Sequence, residues 1–264
     1  MPRLGVLGWP VRHSRSPAMH NAALRELGLD DWIYQRLPVP SELFEATVRG
    51  LAAAGFVGAN VTIPHKNAAL ETADQASDAA RAIGAANTLS FEDSAIIAEN
   101  TDAPGLMAAL PQPVVGRRAV VFGAGGSARA AVWALRDAGA ARVTIWNRTQ
   151  ERARRLAQEF GADAADGAPP PADLLINCSA AGLEDPRSTF ATLPIGPADL
   201  DRYGCVVDLV YGEQETPLVS AARAAGATVV DGLAVLVRQG ALSLERWTGR
   251  PAPLAVMREA LGLG

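Results

Sequence analysis

Ala119-Val120-Val121-Phe122-Gly123-Ala124-Gly125-Gly126-Ser127-Ala128 decides how this chain folds. The four apolar residues read as a buried strand, the glycines stop it, and Ser127–Ala138 continues as a helix. The turn fits the pattern G-x-G-x-x-A. Gly123 permits the tight turn, Gly125 lets the backbone approach a pyrophosphate, and Ala128 keeps the helix close to the sheet. Gly123, Ala124, Gly125, Gly126, Ser127 and Ala128 are therefore the expected nucleotide-binding residues. The free amides and positive end of the helix would face the phosphates. A glycine turn alone can be purely structural; the strand before it and the helix behind it favour the nucleotide.

Downstream, Arg142–Trp146 reads as the next strand and Glu151–Phe160 as the next helix. A site for NAD usually closes this second strand with an acid that bonds the ribose hydroxyl. Here the strand runs into Asn147-Arg148-Thr149. A carboxylate would repel a 2′-phosphate, whereas Arg148 can bond it bidentately, so the cofactor predicted is NADP. The plain alternative is that Arg148, Arg152, Arg154 and Arg155 form a solvated helix face, a reading that suits the last two best. After a loop at Ala164–Pro171, strands are expected at Leu174–Ile176, Val206–Leu209 and Thr228–Val230. From about Leu233 the chain reads as helical, broken at Thr248-Gly249-Arg250-Pro251.

Upstream, Leu4–Gly8, Trp32–Leu37 and Phe56–Ile63 read as strands. Helices are expected from Ser16 to about Leu27 with Ser16 as cap, over Ser41–Ala54 with Ser41 as cap, and near Asn67–Ala73 and Ser77–Ile83. Thr88–Phe91 and Ala95–Ala98 resemble a hairpin, and Pro111-Gln112-Pro113 a linker. Alternating strands and helices predict an α/β protein with parallel sheets covered by helices on both faces. Two lobes are expected. Residues 1–102, completed by C-terminal helices 232–264, form an α/β substrate lobe, and 103–231 form a doubly wound, Rossmann-type nucleotide lobe.

Composition narrows the class. With 264 residues, 49% hydrophobic, 20% charged and a net charge of −4, the chain suits a soluble cytoplasmic protein. Scattered arginines and a slightly acidic balance argue against nucleic acid. No apolar run approaches the length needed to span a membrane. Pro10, Arg12 and Arg15 interrupt any secretory signal. Cys178 and Cys205 read as buried thiols. His13, His20 and His65 lack zinc-type spacing with cysteine, so no metal is expected. The sequence leaves a homodimer open.

Among 24 cations only one is a lysine, Lys66. Arginine spreads its charge over a planar fork and does not give up a proton; a lysine ammonium is compact and can. A chain that uses arginine elsewhere and lysine here suggests proton transfer at this position, although a stray surface lysine is the plain alternative. Lys66 ends Gly58-Ala59-Asn60-Val61-Thr62-Ile63-Pro64-His65-Lys66, a strand stopped by proline, and strand ends of this type carry catalytic groups. A second polar stretch, Gly8-Trp9-Pro10-Val11-Arg12-His13-Ser14-Arg15-Ser16-Pro17-Ala18-Met19-His20-Asn21, offers hydroxyls near a helix start, a donor set suited to a carboxylate.

These stretches together resemble the shikimate dehydrogenase family. The resemblance spans nearly the full length: His13–Pro17, Asn60–Lys66, Ala85-Ala86-Asn87-Thr88, Asn100-Thr101-Asp102, Gly123–Ala128, Asn147-Arg148-Thr149, Asp208–Tyr211 with Thr216-Pro217-Leu218, and Gly232 with Gln239-Gly240-Ala241. It implies NADPH-dependent reduction of 3-dehydroshikimate to shikimate in aromatic amino-acid biosynthesis. It also implies that Ser14 and Ser16 hold the substrate carboxylate, and that Thr62, Lys66, Asn87, Asp102 and Gln239 surround the ring hydroxyls, with Tyr211 nearby. Lys66 and Asp102 would be the catalytic pair, and Gly232 would lie beside the nicotinamide. Ala103, the run Asn177–Gly182 and Val235 depart from the commonest family pattern. Residue by residue, Asp102 could instead be an N-cap, Asn87 a turn residue and Gln239 a surface residue. Three rival readings are a quinate/shikimate dehydrogenase using NAD, a non-catalytic shikimate-binding sensor, and a Rossmann protein of unrelated substrate.

Overall fold

The computed structural model describes residues 1–212 and 214–264. The chain divides into two compact units, 1–106 with 236–264, and 107–235. Both boundaries fall inside helices, four residues beyond the expected 102 and 232.

The first unit contains β1 (Arg3–Gly8), α1 (Ser16–Glu26), β2 (Ile33–Pro38), α2 (Phe44–Leu51), β3 (Phe56–Val61), α3 (Lys66–Thr72), β4 (Gln75–Ala76), α4 (Asp78–Ile83), β5 (Thr88–Glu92), β6 (Ala95–Glu99) and the start of α5 (Asp102–Ala109). Its sheet runs β2-β1-β3-β5-β6-β4. β1, β2 and β3 are parallel, but β5 lies antiparallel to both β3 and β6. The first sheet is therefore mixed, as the expected hairpin of Thr88–Phe91 and Ala95–Ala98 requires. A two-residue turn joins β5 to β6, with Asp93 at φ 48° and Ser94 at φ 67°, and so short a link permits only a hairpin.

Two helix starts also differ from expectation. α1 begins at Ser16, whose side chain caps nothing; the Ser14 hydroxyl instead accepts the Ser16 amide, at 3.3 Å. Ser41–Leu43 forms a 3₁₀ turn before α2, and Ser41 is not a cap. The apolar spacing explains the later start, since the buried Phe44, Val48 and Leu51 give a core-facing stripe only from residue 44. These three pack with Leu7, Phe56, Val61 and Leu89 as one core.

The second unit contains β7 (Arg118–Phe122), α6 (Gly126–Asp137), β8 (Arg142–Trp146), α7 (Gln150–Phe160), β9 (Asp163–Ala164), β10 (Ala172–Asn177), α8 (Thr189–Thr192), β11 (Tyr203–Asp208), α9 (Pro217–Ala224), β12 (Thr228–Val230) and the start of α10 (Gly232–Thr248). α11 (Leu254–Glu259) follows in the first unit, packed against α1. The second sheet, β12-β11-β10-β7-β8-β9, is parallel throughout. Its strand order reverses between β7 and β10, the point at which doubly wound sheets open a crevice at their carboxyl edge. The short helical turns between 186 and 202 carry too little periodicity to be read in advance.

α10 reaches the first sheet through glycine contacts. A Cβ at Gly58 would sit 2.1 Å from the Trp247 ring nitrogen, and one at Gly105 would sit 2.6 Å from Gln239 Cβ. The Trp247 indole donates to the Leu89 carbonyl at 3.0 Å.

Candidate active site

β3 ends at Val61, and Thr62–His65 turns the chain into α3, of which Lys66 is the first residue. The turn is anchored by its histidine. His65 Nε2 lies 2.7 Å from the Val39 carbonyl, and the ring stacks on Phe44. Lys66 Nζ donates to Asp102 Oδ2 at 2.6 Å, with side chains only 11% and 18% exposed. This sheltered pair joins residues 36 apart in sequence.

Asp102 opens α5 without spending its carboxylate on the helix. Asn100 Oδ1 accepts the Ala103 amide at 3.1 Å, so capping falls to Asn100. The second Asp102 oxygen accepts from Asn87 Nδ2 at 2.9 Å. Asn87 is not a turn residue. Its Oδ1 accepts the Thr101 amide at 2.7 Å, which fixes the amide flip and aims Nδ2 at Asp102. The same Nδ2 lies 2.9 Å from Thr101 Oγ1 and 3.0 Å from Gln239 Oε1. The Thr101 hydroxyl, itself a donor, also lies 3.5 Å from Gln239 Oε1, so the three side chains share their hydrogens. Gln239 is 7% exposed and so is no surface residue.

Behind Asn87 lies a buried set, of which the sequence motifs include Asn60, Thr88 and Thr101 but not Tyr34 or Ser243. Thr88 Oγ1, Thr101 Oγ1 and Ser243 Oγ lie within hydrogen-bond reach of one another, 2.8 to 3.2 Å apart. Asn60 Nδ2 joins them at Ser243, and Asn60 Oδ1 accepts the Tyr34 hydroxyl at 2.8 Å. Ser243 had one available signal: it stands four residues after Gln239, on the same helix face.

Ser14 and Ser16 are buried, at 4% each, in the loop between β1 and α1. Ser14 Oγ accepts from the backbone, so its own hydrogen is available to donate. Thr62 lies half-buried beyond the end of β3. None of the three histidines acts in this donor set. His20 is fully buried, stacked on Tyr34 at 4.2 Å, and burial pushes its pKa down to about 3. Partial desolvation, with the charges of Arg12 and Arg36, also holds His13 below its ordinary value.

In the second unit, Gly123 has φ 109°, and a Cβ there would lie 3.1 Å from Cys178 backbone, so glycine is required twice over. A Cβ at Gly125 would meet no protein atom, so its absence leaves room outside the chain. Ala128 is wholly buried, and no side chain caps the first turn of α6. Across the β7–β8 register, the Gly123 amide donates to the Trp146 carbonyl at 2.8 Å, bringing the glycine turn beside Asn147, Arg148 and Thr149. Asn147 Nδ2 donates to the Thr149 carbonyl. Among the described residues no carboxylate pairs with Arg148, whereas Arg154 pairs with Asp166 and Arg155 with Glu151. The glycine cradle, the open helix start and the unneutralised cation fit a dinucleotide carrying a 2′-phosphate. Gly232 begins α10 against Leu209, where a Cβ would lie 2.7 Å from the carbonyl oxygen. Tyr211 belongs to this unit, half-exposed in the loop after β11.

Three family descriptions match the chain: a shikimate dehydrogenase substrate binding domain at residues 6–89, shikimate / quinate 5-dehydrogenase at 108–169, and a shikimate 5'-dehydrogenase C-terminal domain at 232–261. The shikimate dehydrogenase (NADP(+)) of Methanothermobacter thermautotrophicus is 43% identical, over 97% of this chain and 94% of its own length. The shikimate 5-dehydrogenase of Thermus thermophilus, crystallised with NADP(H) and shikimate, superposes with a TM-score of 0.88 at 41% identity and covers 98% of both chains. The 5-ketofructose reductase of a Gluconobacter species superposes at 0.84 with 34% identity, over 98% of this chain and 97% of its own. Among the described residues no helix is long and apolar enough to cross a membrane. With identity above 40% across nearly its whole length, the chain belongs to the shikimate dehydrogenase family.

Proposed function

We propose that this chain is an NADP-dependent shikimate dehydrogenase, an oxidoreductase that reduces 3-dehydroshikimate to shikimate reversibly. The observation that carries the reading is the sheltered 2.6 Å pair of Lys66 and Asp102, with Asn87 on the second carboxylate oxygen. When bound, the reduced nicotinamide supplies the hydride. Negative charge then develops on the ketone oxygen and a proton must reach it. Lys66 Nζ is the donor in this reading. Asp102 holds the ammonium in place and shares the proton, and Asn87 fixes Asp102. Thr62 and Gln239 orient the ring hydroxyls, and Ser14 and Ser16 hold the carboxylate. Gly123–Ala128, Asn147–Thr149 and Gly232 hold the cofactor, with Arg148 on the 2′-phosphate.

The test follows loss of reduced nicotinamide absorbance with 3-dehydroshikimate. Lys66→Ala lowers kcat by roughly a hundredfold to ten-thousandfold while binding is retained, the usual worth of a positioned acid–base group. Lys66→Arg is also poor, because its charge persists but its proton does not transfer readily. Unimpaired turnover in either variant would remove Lys66 from the reaction.

A further inference from the structure

Arg36 projects from β2, a strand to which the sequence assigned no function. Its Nε and Nη2 both donate to the Ser14 carbonyl, at 3.0 and 2.7 Å. Twenty-two residues separate the partners, so the bond ties the loop between β1 and α1 to a different strand. The Ser14 amide donates to the Val11 carbonyl and Ser14 Oγ accepts the Ser16 amide, so the Ser14 backbone is held on both sides. Among the described residues no carboxylate pairs with Arg36. Its charge is therefore uncompensated beside the two buried serines.

Hydroxyl donors by themselves bond a carboxylate oxygen and a neutral amide or alcohol oxygen alike; a nearby full charge separates them. The same scaffold also serves a protein named for 5-ketofructose, a ketose with no carboxylate. Preference for an anion must therefore come from particular side chains and not from the fold. We propose that Arg36 is a specificity-determining residue, which fixes the serine loop through the Ser14 carbonyl and supplies the positive charge that selects a carboxylate-bearing substrate. This rests on the reading that Ser14 and Ser16 receive that carboxylate.

The experiment compares shikimate with its carboxamide as substrates for oxidation by NADP⁺, in wild type, Arg36→Gln and Arg36→Lys. Wild type prefers the acid. In Arg36→Gln, KM for shikimate rises about tenfold and kcat stays within about twofold, while kcat/KM for the amide falls by no more than about threefold through the loosened loop, as expected when a charge-assisted interaction is lost along with the clamp. Arg36→Lys keeps the charge and most of the preference. Raising the salt concentration weakens shikimate binding in wild type more than in Arg36→Gln. Equal losses for acid and amide would reduce Arg36 to a structural clamp and overturn the proposal, as would no change in either. A wild type that turns over shikimate without preferring it to the amide would instead overturn the carboxylate reading of Ser14 and Ser16.

Discussion

Arg148 stands exposed at the end of β8, and the nearby arginines divide by their partners. Arg154 and Arg155 are exposed and already paired within their own surface, so their loss changes little, since exposed pairs contribute under about 1 kcal/mol. Arg148 has no such partner among the described residues, and a charge-assisted bond to phosphate is worth about 1.5–3 kcal/mol. Arg148→Ala should therefore reduce the NADP-over-NAD ratio of kcat/KM roughly tenfold to hundredfold. Steady-state rates with both cofactors check this, and an unchanged ratio would detach Arg148 from the 2′-phosphate. Arg148 was singled out from the sequence because its proposed role depends on a local pattern, a cation where that pattern usually has an acid. Arg36 was not, because its partner Ser14 lies on another strand's loop and nothing local marks the pairing.

At the scale of elements, two helical glycines should respond with opposite signs to the same change. Gly105 in α5 faces α10 so closely that a new methyl would lie 2.6 Å from Gln239 Cβ and 2.7 Å from its backbone nitrogen. Backbone cannot swing aside as a flexible side chain can. Gly105→Ala must push the two helices apart, at a cost of about 1–3 kcal/mol. The shift also draws Gln239 away from Asn87, so kcat/KM falls with stability. Gly50 in α2 has no neighbour within 4 Å of a new methyl, and Gly50→Ala should stabilise by roughly 0.5–1 kcal/mol through helix propensity. Thermal unfolding of both variants tests the pair, and a Gly105→Ala protein as stable as wild type would refute the packing argument. The helices themselves could be read from periodicity, but their closeness could not, because a glycine in a helix looks the same whether it faces water or another backbone.

Over the whole molecule, stability depends on pH through buried titratable groups outside the proposed chemistry. Asp208, at the end of β11, is fully buried, and desolvation raises its pKa to about 6. Asn177 Nδ2, the Val210 amide and the Thr216 hydroxyl all donate to it and only partly offset that burial. A raised folded value means the native state holds its proton where the unfolded chain has released it. Stability from this group is thus present at low pH and is lost as pH rises toward 6. Asp208→Asn removes the titration. The stability of wild type relative to this variant should fall by about 2 kcal/mol between pH 4.5 and 7.5, following from a shift of about two units. Denaturant titrations of both proteins across that range measure it, and a constant difference would show that Asp208 stays charged throughout. His20 acts in the opposite direction. Its depressed value means the fold resists protonation, so stability is lost as pH falls below the ordinary histidine range.

Local pattern determined much of this protein by itself: the glycine turn and its helix, the hairpin at 93–94 and the alternating α/β order. These are properties of short stretches, where periodicity, turn chemistry and residue type act over a few positions. The tertiary structure alone decided that the hairpin adds to the sheet through β3, that Asn100 and not Asp102 caps α5, that Asn87 spends its amide on Asp102, and that Arg36 reaches Ser14. Each joins groups brought close only by packing. A side chain's hydrogen-bond partner depends on what stands within about 3 Å of it, and in a folded chain that neighbour is set by the core beneath and not by the residues on either side.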